Sequence, residues 1–185
     1  MNKLLHFISS NEAKVKEAQL ILGFPVEVTS LDLLEIQGND IVEIVRAKAL
    51  EAFKQINEPV IVDDVGFYIS AWNGFPGPLV KWLLKSGGSA LILKMLLNET
   101  DRKAEFVSAI GFHDGNEIHT FIGKVSGTIA HQPRSTRKAP ELETIFVPDG
   151  YKKTYAEMTL EEKSQLSHRK KSLELLKNHL QTNNG

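Results

Sequence analysis

Residues 4–22, with the sequence LLHFISSNEAKVKEAQLIL, decide the fold class of this protein. A short apolar run over residues 4–8 predicts a strand, and the polar residues 9–11 predict a tight turn. Apolar residues then recur at mostly helical spacing over residues 13–22, and Gly23 marks the end of a helix. This strand–turn–helix unit predicts an α/β protein whose first turn presents the N-terminus of a helix.

Two further segments continue the alternation of helices and strands. Asp40 is placed to cap a helix that extends to Phe53, because its carboxylate can accept hydrogen bonds from the first helical turn. Residues 59–62 are apolar and predict a buried strand, which the polar pair Asp63 and Asp64 ends. Polar side chains directly after a buried strand stand where open α/β sheets bind ligands.

The second half of the chain predicts a long hairpin followed by two helices. Residues 103–113 and 116–130 have strand patterns, and the Asp-Gly pair between them is a strong hairpin signal. Thr159 begins a capping box, and Ser167 is placed to start the last helix. Because parallel and antiparallel connections are both predicted, we expect a mixed sheet in one domain spanning residues 1–185.

The composition excludes several classes of protein. The chain has 185 residues, of which 42% are hydrophobic and 24% charged, as is typical of a soluble globular domain. Its 22 basic and 23 acidic residues leave a net charge of −1, so no overall charge attracts nucleic acid or an anionic membrane. The absence of cysteine excludes disulfides, a thiolate nucleophile and iron–sulfur clusters. Without an apolar run long enough for a membrane span or a signal peptide, we expect a cytoplasmic protein.

The turn before the first helix is the first candidate site. It contains Ser9, Ser10 and Asn11, and Lys14 follows one turn into the helix. A helix N-terminus offers free N–H groups and the positive end of the helix dipole, so it suits a phosphate. An ordinary helix cap beside a solvated lysine is the alternative, and the run lacks the glycines of a Walker A loop.

Acidic residues form the second candidate site. Asp63 and Asp64 follow an apolar strand, and carboxylate oxygens are ligands that Mg²⁺ prefers. The same pair is also typical of a solvated turn. Glu35 is either a further metal ligand or an ordinary loop carboxylate.

The start of the last helix is the third candidate site. Ser167, His168 and Arg169 stand there, and Lys163 precedes them by about one helical turn. Donors at a helix start suit an anion or the edge of a nucleobase, whereas a solvated surface is the alternative. No spacing typical of metal ligands relates the remaining histidines, which are His6, His113, His119, His131 and His179.

Nine short motifs, which extend over most of the chain, stand in the order of one protein family. They are Ser9-Ser-Asn-x-x-Lys14, Glu35-x-Gln-Gly38, Lys48-Ala49, Val62-Asp-Asp64, Phe75-Pro-Gly-Pro78 with Lys81-Trp82, Phe146-x-Pro-Asp-Gly150, Thr154-Tyr-Ala-Glu-Met158, Lys163 and Ser167-His-Arg169. Each motif is weak alone, but their combined order resembles the inosine triphosphate pyrophosphatase family. These house-cleaning enzymes remove non-standard purine nucleotides.

The resemblance implies an activity and an architecture. The activity is Mg²⁺-dependent hydrolysis of a nucleoside triphosphate to the monophosphate and pyrophosphate, with ITP, dITP and XTP as the usual substrates. The architecture is an elongated mixed β-sheet flanked by helices, with two lobes and a central cleft. The resemblance also implies a cytoplasmic homodimer whose partner is a small-molecule nucleotide, rather than nucleic acid or a membrane.

On the phosphate side, the resemblance implies that five residues bind the triphosphate: Ser9, Ser10, Asn11, Lys14 and Lys48. Glu35 and Asp64 would bind the metal ion. Either Asp63 or Asp64 would orient and deprotonate the attacking water, and we assign this role to Asp64. A positioned general base typically contributes about 10²- to 10⁴-fold to a rate.

On the base side, the resemblance implies that Lys163, His168 and Arg169 contact the nucleotide. The aromatic residues with which the family encloses the purine are missing, because Pro140-Glu-Leu-Glu-Thr144 replaces Phe-Gly-Trp/Tyr-Asp-Pro. Stacking of a base on an aromatic ring contributes about 1–3 kcal/mol. We expect the usual substrates if Pro140 and Leu142 pack on the purine, and a shifted or relaxed base preference otherwise.

Two single positions also depart from the family. Glu143 replaces the aspartate that helps to read the base, and Val65 stands where the family commonly has serine or threonine. A nucleotide-binding sensor without catalysis is a further alternative. The retained Asp63 and Asp64 argue against a sensor, since a protein that only binds needs no paired carboxylates to activate water.

Overall fold

The computed structural model describes residues 4–182, which form seven strands and six α-helices. In chain order they are β1 (His6–Ile8), α1 (Glu12–Leu22), β2 (Glu27–Thr29), α2 (Ile41–Ile56), β3 (Val60–Ile69), a 3₁₀ turn (Ser70–Trp72), β4 (Pro76–Gly77), α3 (Val80–Met95), β5 (Lys103–His113), β6 (Ile118–Ile129), α4 (Glu141–Ile145), β7 (Phe146–Pro148), α5 (Leu160–Leu166) and α6 (His168–Thr182).

The strands form one mixed sheet, as predicted. Their order is β2-β1-β3-β5-β6-β7, and β4 pairs with β3 outside this path. β1 is parallel to both β2 and β3, whereas the β3–β4 and β6–β7 pairs are antiparallel. Parallel neighbours need a crossover connection, and α1 provides it between β1 and β2. Among the described residues, no helix is both long and apolar enough to cross a bilayer.

The described chain divides into two compact units. The first unit contains residues 4–65, 108–123 and 169–182, and the second contains residues 66–107 and 124–168. Strands β3, β5 and β6 each contribute residues to both units. Because each unit is assembled from separate segments, no single peptide bond divides the chain into the two units.

Each unit has its own apolar interior. In the first unit, residues of α1, β1, β3, β5 and α6 pack together, and this packing fixes the start of α1 against the sheet. Its buried members are Phe7, Val15, Ala18, Leu22, Val26, Ile61, Ile110, Phe112, Leu173 and Leu176. In the second unit, Phe106 lies 4.7 Å from Phe67 and 4.8 Å from Phe146, measured between ring centroids. These tilted and edge-on contacts are the arrangements that aromatic rings prefer.

Several elements follow their local sequence signals. Asp40 caps α2 by accepting hydrogen bonds from the N–H groups of Val42 and Glu43 at 2.7 Å and 3.4 Å. Thr159 and Glu162 form the predicted capping box at the start of α5. The long hairpin of β5 and β6 is also confirmed.

The predicted end of the third strand is wrong. β3 continues through Asp63 and Asp64 to Ile69. Its parallel partner β1 pairs with it only as far as Phe7 opposite Ile61, and β4 pairs with its last part. The two aspartates therefore lie in the middle of β3 but just beyond the carboxyl end of β1. This position explains why they stand beside the β1–α1 turn although their own strand does not end there.

Candidate active site

The β1–α1 turn is closed by its own side chains. The Oγ of Ser9 accepts a hydrogen bond from the backbone N–H of Asn11 at 3.1 Å. The Oδ1 of Asn11 accepts one from the backbone N–H of Lys14 at 3.3 Å, so Asn11 caps the first turn of α1. A hydroxyl that accepts one hydrogen bond can still donate its own O–H. The hydrogen bond that Ser9 accepts therefore leaves its O–H able to donate to a phosphate oxygen. Ser10 is exposed at the same turn.

Asp63 holds two cations from two different helices. The Nζ of Lys14 on α1 lies 3.0 Å from Oδ1 and 2.9 Å from Oδ2 of Asp63. The Nε of Arg169 on α6 lies 3.3 Å from the same Oδ2. Burial opposes ionisation of Asp63, whose side chain is 4% exposed, but Lys14 and Arg169 outweigh it and lower its pKa. Asp63 is therefore a poor proton acceptor and a firm anchor for cations.

Asp64 has a different environment from Asp63. Successive residues of a strand point to opposite faces of the sheet, and the half-buried Asp64 accepts a hydrogen bond from the N–H of Val65 at 2.9 Å. Burial raises the pKa of Asp64, and the Val65 N–H and nearby lysines offset this effect only in part. Of the two carboxylates, Asp64 thus has the greater affinity for a proton, as a general base requires.

Glu35 and Lys48 form the second ion pair of this region. Glu35 lies in the loop between β2 and α2, and its Oε1 is 2.6 Å from the Nζ of Lys48 on α2. Lys48 also acts electrostatically on both Asp63 and Asp64, lowering the pKa of each. Lys48 therefore interacts electrostatically both with Glu35 in the loop and with the two aspartates of β3.

Glu35 and Asp64 offer a donor set that fits Mg²⁺. This ion is usually bound by one or two carboxylates, with water and substrate phosphates completing its octahedron. Within residues 4–182, the only three metal-ligating side chains whose ligand atoms converge within 4.8 Å belong to a different cluster, around His119. The carboxylates of Asp63, Asp64 and Glu35 thus do not converge on one point, and water or substrate oxygens would complete the coordination of a bound ion.

Glu17 belongs to this charge network, although the sequence analysis missed it. Its Oε2 lies 2.8 Å from the Nη1 of Arg169, so Arg169 is held between Glu17 and Asp63. Burial lowers the pKa of Arg169, but the carboxylates of Asp63 and Glu17 outweigh this effect and raise it. The available signal was the i, i+3 spacing of Lys14 and Glu17, which places both on one face of α1.

A separate charge cluster in the second unit surrounds Glu143. This residue is buried on α4, and its two carboxylate oxygens contact Nη2 of Arg137 at 2.9 Å and Nζ of Lys163 at 2.5 Å. Arg137 also donates to the backbone carbonyl of Tyr155 at 2.9 Å. The structure thus brings Glu143 and Lys163 together, whereas Arg169, which the resemblance placed on the base side with Lys163, pairs with Asp63 and Glu17 instead. It adds Arg137, which lies in the basic run Arg134–Lys138 of the loop before α4.

His168 lies against the aromatic interior of the second unit. Its ring stacks on Phe106 at 4.9 Å between centroids and with an interplanar angle of 9°, and the residue is 8% exposed. Packing of this kind fixes the plane of the imidazole ring. Tyr155, which is fully buried beside Phe106, has its pKa raised by burial and by Glu143, so its hydroxyl stays protonated.

The segment that replaces the family's aromatic wall is a short helix, α4. Leu142 on it is only 7% exposed, so it offers little surface on which a purine could pack, whereas Pro140 before it is exposed. The carboxylate of Glu141 accepts a hydrogen bond from the backbone N–H of Ser89 at 2.6 Å. That N–H follows Gly88, where α3 is kinked. Glu141 therefore caps the second half of α3.

The predicted site residues fall into two sets. The first unit holds those assigned to phosphate and metal, together with three others: Ser9, Ser10, Asn11, Lys14, Glu35, Lys48, Asp63, Asp64, Val65 and Arg169. The second unit holds Glu143, Lys163 and His168. Two ion-paired clusters are thus present, one of them around a carboxylate pair on β3.

Comparison with known proteins identifies the class to which this fold and site belong. Residues 5–179 match the Ham1 family, and the chain belongs to this family. It is 40% identical over 172 residues to the "dITP/XTP pyrophosphatase" of Methanopyrus kandleri, a match that covers 91% of each chain. It is 38% identical over 182 residues to the protein of the same name from Thermococcus kodakarensis, covering 97% of this chain and 98% of that protein.

Solved structures agree with this membership. The Ham1 protein of Staphylococcus aureus superposes with a TM-score of 0.85 at 29% identity, covering 97% of this chain and 99% of that one. The HAM1 protein of Coxiella burnetii superposes with a TM-score of 0.82 at 27% identity, with the same coverage. The resemblance to the inosine triphosphate pyrophosphatase family is confirmed, and with it the α/β fold and the class of enzyme, a hydrolase acting on nucleoside triphosphates.

Proposed function

We propose that this protein hydrolyses the non-standard purine nucleotides ITP, dITP and XTP to the monophosphate and pyrophosphate, in a reaction that requires Mg²⁺. The observation that carries the proposal is the difference in contacts between two adjacent carboxylates. Asp63 holds Lys14 and Arg169, whereas Asp64 accepts a hydrogen bond only from the N–H of Val65 among the described residues, which leaves it able to contact a water or a metal ion. The names of the curated relatives support dITP and XTP as substrates.

The first unit would bind the triphosphate. Lys14 and Lys48 are ion-paired to Asp63 and Glu35, with 25% and 16% of their side chains exposed. An ammonium group has three donors, so each lysine can keep its carboxylate and add a phosphate oxygen. The hydroxyls of Ser9 and Ser10 and the first N–H groups of α1 would supply further donors, as helix N-termini do for phosphates.

Asp64 would activate the attacking water. Its carboxylate takes a proton from the water as the water oxygen bonds to the α-phosphorus. The bond from that phosphorus to the bridging oxygen breaks, and pyrophosphate leaves with the electron pair. Mg²⁺ held by Glu35 and a carboxylate oxygen of Asp64 would neutralise charge on the phosphate oxygens. No covalent intermediate is needed, because metal-bound pyrophosphate is an adequate leaving group.

The second unit would contact the base. Lys163 and His168 offer donors to the edge of a purine, and Glu143 fixes the ammonium of Lys163 by a 2.5 Å contact. Because Leu142 is buried, it does not provide the packing on which we expected the usual base preference to depend. The usual preference would therefore require these polar groups to recognise the base in place of an apolar wall. Hydrogen-bonding sites discriminate strongly, since an analogue that lacks the partner leaves buried polar groups unsatisfied.

The resemblance supports two further parts of the proposal, a cytoplasmic location and a homodimer. The dimer is tested by sedimentation of the purified protein over a range of concentrations. A monomer at every concentration would contradict the dimer and would leave the proposed reaction untouched.

The reaction is tested by measuring pyrophosphate release from ITP, dITP, XTP, the standard nucleotides and modified pyrimidine triphosphates, with Mg²⁺ and with EDTA. We expect kcat/KM for ITP and XTP to exceed that for ATP by at least about 100-fold, as polar base recognition permits, and no release in EDTA. Preference for another base would instead assign specificity to Pro140–Glu143. Calorimetric binding of ITP without any pyrophosphate release would overturn the proposal in favour of a nucleotide sensor.

A further inference from the structure

The turn between β5 and β6 brings three metal-ligating side chains together. The ligand atoms of Asp114, Glu117 and His119 all lie within 4.8 Å of one another. The Nε2 of His119 is 3.2 Å from Oδ2 of Asp114 and 3.7 Å from Oε1 of Glu117. None of the residues assigned to phosphate, metal or base above belongs to this cluster.

The backbone of the turn orients the first ligand. The Oδ1 of Asp114 accepts hydrogen bonds from the backbone N–H groups of Asn116 at 2.7 Å and Glu117 at 2.9 Å. These bonds fix the plane of the carboxylate and leave its other oxygen, Oδ2, directed at His119. Ligands held in place by hydrogen bonds around them are typical of functional metal sites.

The imidazole of His119 is held by other rings. Its centroid lies 4.3 Å from that of His179 on α6 and 5.9 Å from that of Phe112 on β5. His119 is 22% exposed and Glu117 is 74% exposed, so an ion from solution can reach both. Arg46 on α2 also contacts this hairpin, but it donates to the carbonyl of Ile118 rather than to any of the three ligands.

The two separations from His119 are close to those between ligand atoms around a bound transition metal. Zn²⁺ has bonds of about 2.0–2.2 Å to nitrogen and oxygen, so neighbouring ligand atoms of a tetrahedral site lie roughly 3.3–3.6 Å apart. The measured 3.2 Å and 3.7 Å bracket this range. Imidazole favours Zn²⁺ and its transition-metal neighbours over Mg²⁺ and Ca²⁺, which prefer oxygen ligands alone.

We propose that Asp114, Glu117 and His119 form a surface site for a divalent transition metal, with Zn²⁺ as the probe ion. The site supplies three protein ligands and leaves the remaining positions to water. Two of the ligands lie in the β5–β6 turn and the third near the start of β6, so a bound ion cross-links the turn to β6. The proposal is independent of the proposed catalytic function, because it uses other residues and another class of metal.

The test is calorimetric titration of Zn²⁺ into the Glu35→Gln, Asp64→Asn double variant, which lacks the proposed active-site ligands. We expect one saturable site. Adding Glu117→Gln or His119→Gln should each weaken Zn²⁺ binding by at least about tenfold, as loss of a ligand or of its support does. Glu105→Gln, which removes an ion pair with Lys124 on the same two strands, is the matched control and should leave binding unchanged.

Thermal unfolding provides a second readout. Zn²⁺ should raise the unfolding midpoint of the double variant, because an ion that binds only the folded protein stabilises it. At the same Zn²⁺ concentration the shift should be smaller with Glu117→Gln, a change at an exposed side chain. Absence of saturable binding would overturn the proposal and leave His119 as part of an ion pair. If neither Glu117→Gln nor His119→Gln weakened Zn²⁺ binding, the bound ion would be an adventitious ion only, and the proposal would be overturned.

Discussion

The ammonium of Lys14 lies 3.0 Å and 2.9 Å from the two carboxylate oxygens of Asp63, so one buried side chain uses both of its oxygens to hold one lysine. Arg169 shares one of those oxygens. A carboxylate engaged in this way orients the cations around it. The adjacent Asp64, whose pKa is raised by burial, is the residue to which we assign the proton transfer.

Asp63→Asn should therefore destabilise the protein. The substitution leaves Lys14 and Arg169 beside a neutral amide, and removal of one partner from a buried ion pair costs about 3–5 kcal/mol. The free energy of unfolding, measured by urea titration, should fall accordingly. Asp101→Asn, at an exposed residue before β5, is the matched control and should change it little, because an amide oxygen can still accept the hydrogen bond from the N–H of Lys103. Equal stability of the Asp63 variant and the wild type would contradict the anchoring role.

The stabilisation by Asp63 should also depend on pH. Its pKa in the folded protein lies below the ordinary value of 3.8, so its stabilising contribution is fully present above about pH 4. The contribution is lost as the pH falls through the folded-state pKa, since protonated Asp63 resembles the asparagine variant. In EDTA, the stability difference between wild type and Asp63→Asn should shrink on acidification. A difference that stayed constant down to pH 2 would assign the effect to packing.

Unlike Asp63→Asn, Asp64→Asn should lower the activity without lowering the stability. Because burial raises the pKa of Asp64, its ionised form is unfavourable in the fold, and a neutral amide should leave stability unchanged or increase it. Loss of a general base should lower kcat about 10²- to 10⁴-fold. Pyrophosphate release and thermal unfolding of the same sample measure both quantities. Full activity of Asp64→Asn would show that a group other than Asp64 is the general base.

Local signals were sufficient for much of the fold. The carboxylate of Asp40 caps α2, Thr159 caps α5, and the Asp-Gly pair joins β5 to β6, because each of these features is set by residues within a few positions. The end of β3 was not predictable in this way. Two aspartates read locally as the end of a strand, but pairing with strands distant in the chain carries β3 through them.

The candidate site likewise combines residues that local sequence indicates with residues that only contacts between distant parts of the chain bring in. Lys14 was identifiable because it follows a polar turn at the start of a helix, and Asp63 and Asp64 because they follow an apolar run, although their strand does not end there. Glu17 was missed because its contact with Arg169 joins residues 152 positions apart. Likewise, the cluster around His119 depends on the geometry of a turn, which brings together residues whose spacing resembles no metal motif.

Gly111→Ala should destabilise the first unit. A Cβ at this position of β5 would lie 2.6 Å from the backbone carbonyl oxygen of Val45 on α2 and 3.1 Å from a methyl of Val62. Because a backbone oxygen cannot move aside cheaply, we expect a loss of about 1–3 kcal/mol, typical of overpacking. Gly38→Ala is the matched control, since a Cβ there meets no atom within 4 Å. Urea titration of both variants compares them directly, and equal stability would show that α2 shifts freely.

Glu143→Gln should reduce discrimination between bases. The carboxylate of Glu143 fixes Lys163 at 2.5 Å and neutralises Arg137 at 2.9 Å, so its loss frees the ammonium that we assign to the base. We expect the ratio of kcat/KM for ITP to that for ATP to fall by about tenfold or more, in line with the loss of one polar contact.

Two companion variants separate this effect from simple destabilisation. Glu143→Asp keeps the negative charge and restores the residue expected in the family, so it should recover most of the discrimination. Glu105→Gln removes a more exposed ion pair of the same unit and should leave the ratio unchanged. If Glu143→Gln lowered activity on ITP and ATP equally, Glu143 would support the second unit without orienting a group that reads the base.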